Sequence, residues 1–176
     1  MNLNIWVRLI LTLVAKNWRS KLEINEPCRT PFRVLPTDLD LNLHMNNARY
    51  FAFMDIGRLD LMQRTGLLKI LKKNNWYPVV ADETISFGMS LDLLDKVYLI
   101  SKIHGWDEKF VYLEQRFERE NETIAGALVK SCILSKQGPV PTKVVMSETG
   151  LSQKSPELKF WIEGWKKARK PLLNRK

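Results

Sequence analysis

The sequence predicts an α+β fold in which one long helix lies across an antiparallel sheet. Apolar side chains recur every three or four positions over residues 48–64, which is the spacing of a helix with one buried face. Four stretches after Trp76 are rich in β-branched and aromatic residues and are separated by turn residues. Because no helical stretch lies between them, neighbouring strands can pair antiparallel through short turns. The 176 residues suit one domain, predicted at 23–150, with a short segment on either side.

Residues 1–22 are predicted to form an N-terminal amphipathic helix. Its main apolar side chains fall on one helical stripe: Trp6, Leu9, Ile10, Leu13 and Val14. The uncharged run is far shorter than the roughly 20 residues that cross a bilayer, and Arg8 interrupts the apolar centre that a signal peptide needs. The stripe either covers part of the domain or of a dimer, or makes peripheral contact with a membrane. Nearby basic residues are compatible with the second alternative: Arg8, Lys16, Arg19 and Lys21. Of the two, packing on protein is the favoured prediction.

A strand and a polar loop come next. The strand is predicted at residues 28–35 and ends at Pro36, which cannot donate a hydrogen bond to a sheet. The loop covers residues 37–46. Asn46 or Asn47 can cap the helix that follows, because an asparagine side chain accepts a hydrogen bond from an otherwise unpaired backbone N–H.

The remaining elements follow from the same periodicities. Gly57 lies inside the helix at 48–64, where glycine costs about 1 kcal/mol relative to alanine, which indicates a position of close packing. A short helix is predicted at 67–73. Gly138-Pro139 closes the sheet, and a last helix begins at Ser155-Pro156. The predicted strands cover residues 77–87, 96–106, 109–118 and 123–135.

The positive charge is concentrated at the C-terminal end. The formal net charge is +9. Residues 151–176, a predicted basic helix and tail, carry eight Lys or Arg against two Glu and so contribute +6 of it. Such a segment can meet a phosphate-bearing ligand, an anionic membrane or nucleic acid, but charge runs more often only solvate a helix face. No nucleic-acid partner is therefore predicted.

The stretch from Asp38 to Tyr50 is the predicted reacting centre. It contains two carboxylates, three carboxamides and one of the two histidines of the chain, and an amphipathic helix follows at once. A polar loop that opens a helix can hold an acid or base beside backbone N–H donors. An aspartate in such a loop can equally serve only to structure a turn.

Several other chemistries leave no trace in the sequence. There is no Gly-x-Ser-x-Gly nucleophile elbow, no glycine-rich phosphate loop and no dinucleotide fingerprint. Cys28, Cys132 and the two histidines do not have metal-ligand spacing, so no metal is predicted. Scarce cysteine favours a reduced, cytoplasmic protein, with a Cys28–Cys132 disulfide left open. His104 has no chemical neighbours in sequence and is predicted to be structural.

The loop resembles that of the hotdog-fold acyl thioesterases, in the 4-hydroxybenzoyl-CoA-thioesterase-like branch. The family pattern Asp-x-Asp-x-x-Gly-His-x-Asn-Asn-x-x-Tyr aligns without a gap from Asp38 to Tyr50, with Leu43 where the family has glycine. The resemblance is strongest to the thioesterase superfamily member six group and its bacterial relatives. There it extends to Arg33-Val34-Leu35-Pro36, Gly105-Trp106-Asp107 and Phe160-Trp161-Ile162. It implies a sheet wrapped around one central helix.

The resemblance also implies roles for individual residues. It assigns the catalytic carboxylate to Asp40, with Asn42 and His44 as further catalytic residues. Two further candidates lie on the helix, Asp55 and Arg58, although a carboxylate that pairs with an arginine three residues on is also an ordinary arrangement at a helix surface. Independently of the resemblance, the backbone N–H groups around Asn46 and Asn47 at the helix start can hold a developing oxyanion, while the two side chains are predicted to serve as cap and turn residues.

The predicted substrate is an acyl-CoA or an acyl-ACP. CoA is then part of the substrate, and no separate cofactor is expected. Exposed cations would meet its phosphates, and the sequence does not select among Lys130, Lys136 and Lys143. A homodimer is implied because hotdog enzymes complete their sites by pairing two domains, and assembly into a tetramer stays open.

The leading hypothesis is hydrolysis of acyl-CoA thioesters to free acid and CoA. One alternative is a hotdog dehydratase or hydratase, although the usual signature of those enzymes does not match this loop. The other is a non-catalytic module that binds acyl-CoA or a membrane. Acyl chain length depends on packing beside the central helix and is not predicted.

Overall fold

The structure is a computed structural model that describes residues 3–15, 18–150 and 155–173. Its strands are β1 Cys28–Arg33, β2 Tyr77–Phe87, β3 Lys96–Trp106, β4 Val111–Arg119, β5 Glu122–Ser135 and β6 Gly138–Val140. Its helices are α1 Leu3–Ala15, α2 Asn47–Arg64, α3 Leu67–Lys73, α4 Thr142–Glu148 and α5 Phe160–Leu173, with one 3-10 turn at Pro36–Asp38. Lys16, residues 151–154 and the last three residues of the predicted basic tail lie outside the described residues.

The strands form one antiparallel sheet in the order β1-β3-β4-β5-β2, with β6 paired to the end of β5. The predicted strands and their antiparallel pairing are therefore confirmed. β1 is two residues shorter than predicted, although Val34 still exchanges hydrogen bonds with the turn before β3. α4 was not predicted, because seven residues hold too few turns to show a clear helical period.

α2 lies against the sheet and supplies much of the core. Its buried residues include Tyr50, Phe53, Met54, Ile56 and Leu61, and the core continues into β3, β4 and β5. A Cβ placed on Gly57 would lie 2.5 Å from Leu99 Cδ2, 3.0 Å from Ser101 Oγ and 3.2 Å from Gln115 Nε2. The close packing predicted for Gly57 is thus confirmed, since only glycine lets the helix approach β3 and β4 this closely.

We expect Gly57→Ala to destabilise the protein by about 1–2 kcal/mol. Alanine is the better helix former by about 1 kcal/mol, but overpacking a filled core typically costs about 1–3 kcal/mol. Urea unfolding of Gly57→Ala beside Gly164→Ala tests this. A Cβ at Gly164, in α5, meets nothing within 4 Å, so that control should gain stability. Equal effects of the two changes would contradict the packing argument.

α5 lies against the end of the sheet where β3 and β4 meet. Ile162 is fully buried, Trp161 contacts the His104 ring edge-on, and Lys166 Nζ lies 3.3 Å from Asp107 Oδ2. His104 pairs with Glu114 across the two strands at 2.6 Å, consistent with its predicted structural role. The predicted start of this helix at Ser155-Pro156 was wrong. Ser155 Oγ instead accepts a hydrogen bond from the Trp106 N–H, and the helix begins at Phe160.

The two cysteines do not form a disulfide. Both thiols are free and buried. β1 and β5 are separated by two strands, so Cys28 and Cys132 lie about 14 Å apart at the usual strand spacing, whereas a disulfide needs Cα atoms within about 7 Å. Burial raises the pKa of the Cys28 thiol to about 11, so that thiol is poorly reactive at neutral pH.

Candidate active site

The loop between β1 and α2 is held in a compact turn by its own backbone. The Asp40 N–H donates to His44 O at 2.9 Å, and the Leu43 N–H donates to Asp40 O at 3.1 Å. Met45 is tied to Leu91 beyond β2 by a 2.8 Å bond from its N–H to the Leu91 carbonyl. These bonds hold the loop backbone against the segment that follows β2. They thereby fix the backbone positions from which the polar side chains of the loop project.

Asp38 holds the loop from inside the protein. Its side chain is fully buried and accepts hydrogen bonds from the Leu35 N–H at 2.9 Å, from Asn4 Nδ2 at 2.9 Å and from Arg8 Nη2 at 2.8 Å. Its carbonyl accepts from the Asn46 N–H at 2.8 Å. Asp38 therefore joins three elements: α1, the 3-10 turn and the start of α2.

Asp40 has one oxygen occupied and one available. Its Oδ1 accepts a hydrogen bond from the Asn42 N–H at 2.8 Å, which structures the turn. Its second oxygen makes no hydrogen bond to the described residues, and the side chain is half-buried at the wall of a cavity. One carboxylate thus combines the structural role with a free oxygen that can accept a proton.

His44 lies beside Asp40 in the same cavity wall but pairs with a different carboxylate. Its backbone forms a bridge with Asp92, and its Nε2 lies 3.6 Å from Asp92 Oδ1. Both side chains are at least half exposed. Asp92 was missed in the sequence because it lies 48 positions further on, in the segment after β2, with no motif around it.

The start of α2 leaves one backbone amide available. Asn46 is the N-cap, as predicted: its Oδ1 accepts from the Ala48 N–H at 2.9 Å and its carbonyl accepts from the Arg49 N–H at 2.8 Å. The Asn46 N–H is itself bound to Asp38. Among the described residues the Asn47 N–H has no acceptor, and it carries the partial positive charge of the helix N-terminus.

Asp40, His44 and Asn47 surround a cavity of about 270 Å³. Its remaining walls are apolar or come from the turn after β2: Met45, Tyr50, Phe87, Gly88, Met89 and Ser90. Tyr50 packs edge-on against Phe87 and Phe117, and burial raises the pKa of its hydroxyl to about 12. Tyr50 therefore stays neutral and acts as a wall. One cavity is thus lined by a residue with a carboxylate, a residue with an imidazole and a residue whose backbone N–H has no acceptor among the described residues.

The sequence and the fold match one family of known proteins. The model of the thioesterase-like superfamily matches residues 34–150. The chain belongs to the thioesterase-like superfamily. Protein THEM6 of Xenopus laevis is 34% identical over 135 residues, which cover 75% of this chain and 63% of that protein. The long-chain acyl-CoA thioesterase FadM of Escherichia coli is 27% identical over 103 residues, 57% of this chain and 78% of that protein.

A solved structure confirms the hotdog fold of this thioesterase-like protein. The crystal structure of the YbaW probable thioesterase from Escherichia coli superposes with a TM-score of 0.65 at 23% identity. The superposition covers 69% of this chain and 95% of that one. The family model begins at residue 34 and ends at residue 150, so α1, β1 and the whole of α5 lie outside the residues it matches.

Leu43 occupies a backbone conformation that suits glycine. Its φ is +62°, in the left-handed region, and its side chain is 72% exposed. A non-glycine residue there costs about 1–2 kcal/mol, and little apolar burial offsets the cost. Leu43 therefore holds this turn at the expense of backbone strain.

We expect Leu43→Gly to stabilise this thioesterase-like protein by about 0.5–1 kcal/mol, because relief of the strain exceeds the extra entropy of glycine in the unfolded chain. Leu41→Gly in the same loop is the control. Leu41 is fully exposed and lacks a positive φ, so that change should destabilise. Thermal unfolding compares the two variants, and a loss of stability in Leu43→Gly would contradict the strain.

Within one chain, the fold does not place the remaining predicted site residues at this cavity: Asn42, Asp55 and Arg58. Asn42 is exposed, and among the described residues only its backbone holds Asp40. Asp55 lies eight residues beyond Asn47, which is about 12 Å along the helix axis. Arg58 is buried, pairs with Asp55, and donates to Gln115 Oε1 at 2.8 Å. The surface pairing considered for Asp55 and Arg58 was therefore wrong for Arg58.

The lysines considered for CoA phosphates do not line the cavity either. Lys130 Nζ lies 3.9 Å above the ring of Phe110, while Lys136 and Lys143 are exposed beyond β5 and on α4. None of the three contributes to the wall around Asp40. Their contact with CoA stays a prediction.

Proposed function

We propose that this protein hydrolyses acyl thioesters of coenzyme A, with acyl-ACP as the other carrier to be tested. The observation that carries the proposal is the cavity that Asp40 and Asn47 both line. Among the described residues, one oxygen of Asp40 and the N–H of Asn47 have no hydrogen-bond partner. A relative that is 27% identical is named a long-chain acyl-CoA thioesterase, which supports the same substrate class.

Hydrolysis needs a base or nucleophile, a site for the oxyanion and a water molecule. Asp40 takes a proton from water, and the resulting hydroxide adds to the thioester carbonyl carbon. The carbonyl oxygen becomes negative and accepts a hydrogen bond from the Asn47 N–H. The C–S bond then breaks, the acid is released and CoA leaves as a thiolate. Loss of one such amide donor typically costs about 2.7–4 kcal/mol of barrier.

A second route uses the same groups. Asp40 can attack the carbonyl carbon itself, which releases the thiolate and leaves an acyl-aspartyl anhydride that water hydrolyses. In either route His44 is positioned by Asp92 at the edge of the cavity, where its imidazole can pass a proton to or from solvent.

We further propose that the working unit is a homodimer formed along β2. Within the described ranges that strand is an open edge of 11 residues, with β5 as its one partner strand. Its apolar side chains Tyr77, Val80 and Phe87 are exposed. An open edge of this length is a template for pairing with a second strand. A two-fold antiparallel pairing of β2 with its copy puts the Phe87 end of one strand beside the Tyr77 end of the other.

Such a dimer would also account for Asp55 and Arg58. They line a cavity of about 150 Å³ beside the first half of β2, while the Asp40 cavity lies at its other end. The two-fold pairing therefore brings the Asp40 cavity of one chain towards the Asp55 cavity of the other. The walls of the second cavity are mainly apolar, including Met62, Val79, Val111 and Ile133. We propose that it receives the acyl group.

The cavity volume suggests a preferred acyl size. A volume of about 150 Å³ is enough for about one benzene ring, so we propose that a short acyl chain or an aromatic acyl group fits without rearrangement. A longer chain requires the flexible side chain of Met62 to move. The same panel of substrates therefore tests both the activity and this cavity.

We expect Val80→Lys to convert the dimer to a monomer. Lysine on an edge strand opposes pairing because its charge would have to be buried between the two chains. Sedimentation velocity of the wild type and the variant measures the change, with Val144→Lys as the control at another exposed valine, on α4. A monomeric wild type at micromolar concentration would contradict the dimer.

The activity is tested by free-thiol release from short, medium, long and aromatic acyl-CoAs and from an acyl-ACP. Turnover of any of them supports the proposal, and the profile gives the acyl class. Release of a β-hydroxyacyl thioester from an enoyl substrate, without free CoA, would indicate a hydratase. Binding of acyl-CoA with no turnover on any substrate would overturn the proposal and favour the non-catalytic module.

A further inference from the structure

α1 is packed with its polar side inwards. Asn4, Arg8 and Thr12 lie on one face, with Ile5 and Leu9 beside them, and this face meets the domain. Arg8 donates to the buried carboxylate of Asp38 and to the carbonyl of Arg33. The polar groups are therefore used to fix the helix to the protein.

The opposite face of α1 is wholly apolar and exposed. At 100° per residue its members form one arc about 160° wide: Trp6, Val7, Ile10, Leu11, Leu13 and Val14. Each of the six is at least 40% exposed, and Trp18 just beyond the helix is 82% exposed. Of the stripe predicted from the sequence, only Leu9 packs on the domain, whereas Trp6, Ile10, Leu13 and Val14 face outwards. A continuous apolar face of this kind marks a surface with a partner.

A basic cleft adjoins the end of this helix. It has a volume of about 850 Å³ and is lined by five cations, Arg19, Lys21, Arg64, Lys69 and Lys72, against one carboxylate, Glu23. Arg19 is neutralised by the buried Asp60. Within the part of the chain that the structure describes, Lys21, Lys69 and Lys72 form no ion pair with a carboxylate. The cleft thus presents uncompensated positive charge to an anionic partner.

The apolar face and the basic cleft form one continuous surface. Arg19 lines both the cleft and the groove beside Val7 and Leu11 on α1. Gln63, also in the cleft wall, donates from Nε2 to the carbonyl of Leu13 at 3.0 Å. Trp18 lies in the chain between the helix and these cations, a position where tryptophan favours the boundary between apolar and polar phases.

We propose that α1, Trp18 and the basic cleft dock on the surface of an anionic lipid bilayer. The apolar arc would enter the region between headgroups and acyl chains, and the lysines would meet lipid phosphates. A helix of 13 residues is about 20 Å long, so it lies in the plane of the membrane. No helix in the described ranges is long and apolar enough to span a bilayer. A second copy of the chain fits this surface less well, because two-fold pairing would bring the two basic clefts near each other.

Vesicle flotation tests the proposal with the full chain. We expect the wild type to float with phosphatidylglycerol-containing vesicles and only weakly with pure phosphatidylcholine. Lys69→Glu/Lys72→Glu should reduce binding to the anionic vesicles at least about 10-fold. The control Lys102→Glu/Lys136→Glu changes the net charge equally at exposed sites away from the cleft, and should bind like the wild type.

A second pair of variants separates the apolar contact from the charge. Ile10→Gln/Leu11→Gln keeps good helix propensity but makes the exposed arc polar, and should also abolish flotation. Val144→Gln/Phe160→Gln, at exposed apolar sites elsewhere, should not. Circular dichroism confirms that each variant is folded. Asp40→Asn should still float, since docking needs no catalysis.

Two results would overturn the docking. The first is a folded wild type that does not float with anionic vesicles. The second is a self-association that Ile10→Gln/Leu11→Gln abolishes in the absence of lipid, which would show that a second copy covers the helix.

Discussion

Asp40→Asn should lower kcat for free-thiol release by about 10²–10⁴-fold, the range typical of a lost general base. Asparagine keeps an oxygen that can accept the Asn42 N–H, so the turn is preserved while the proton acceptor is removed. The comparison is made on the best substrate of the wild type, with unfolding measured in parallel. Because the side chain is half-buried and forms no ion pair with the described residues, stability should change by less than about 1 kcal/mol.

Asp92→Asn is the matched control for this prediction. Asp92 is another carboxylate, in the segment after β2 that contacts the loop. Its side chain is 63% exposed, and its ion-pair partner among the described residues is the exposed His44. Its loss should change kcat by less than about 10-fold, since it positions His44 and does not reach the reacting atoms. If Asp40→Asn retained the wild-type rate, or if Asp92→Asn lost more activity than Asp40→Asn, the assignment of Asp40 would be wrong.

Isotope labelling of the wild-type protein distinguishes the two routes open to Asp40. A single turnover in ¹⁸O-labelled water puts the label only in the released acid when Asp40 acts as a base. When Asp40 attacks the carbonyl, water can open the anhydride at either carbonyl, and repeated turnovers then leave label in the Asp40 carboxylate. Mass spectrometry of the peptide that contains Asp40 gives the answer.

The sheet and the helix at its centre could be predicted because their patterns are local. Alternating and helical periodicities predicted five strands, α2 and α3. The pair of asparagines before α2 predicted the cap at its start. The loop was predicted to be the site from the density of polar groups between Asp38 and Tyr50. Its chemistry stays a prediction, made from a motif whose residues are adjacent in sequence.

The features that could not be predicted depend on contacts between segments that are distant in sequence. Asp92 reaches His44 only because the segment after β2 folds back onto the loop. Arg58 looked like a surface residue, since Asp55 is its neighbour on the helix, but Gln115 on β4 meets it in the interior. The orientation of α1 on the domain could not be predicted for the same reason. Its apolar stripe predicted a buried face, and the buried polar partner at Asp38 turned the helix the other way.

Asp38→Ala should destabilise the protein by about 3–5 kcal/mol, the largest stability effect we predict, because removal of one partner of a buried pair leaves the other charge uncompensated. Burial already lowers the pKa of Arg8, and the Asp38 carboxylate opposes that shift. The Leu35 N–H and Asn4 would also lose their acceptor. Urea unfolding measures the loss, with Asp92→Ala as a nearby exposed control that should cost less than about 1 kcal/mol.

The two aspartates of the Asp-Leu-Asp motif therefore have opposite expected profiles. The Asp38→Ala variant should be less stable than the wild type. Below its unfolding temperature it should retain thiol release, because Asp40 is unchanged. Asp40→Asn should keep stability and lose turnover. A double-mutant cycle with Arg8→Ala isolates the ion pair, because the coupling energy excludes what each side chain contributes separately. Coupling near zero would show that the ion pair does not stabilise the fold. An Asp38 variant that is stable but inactive would show that the roles of the two carboxylates are reversed.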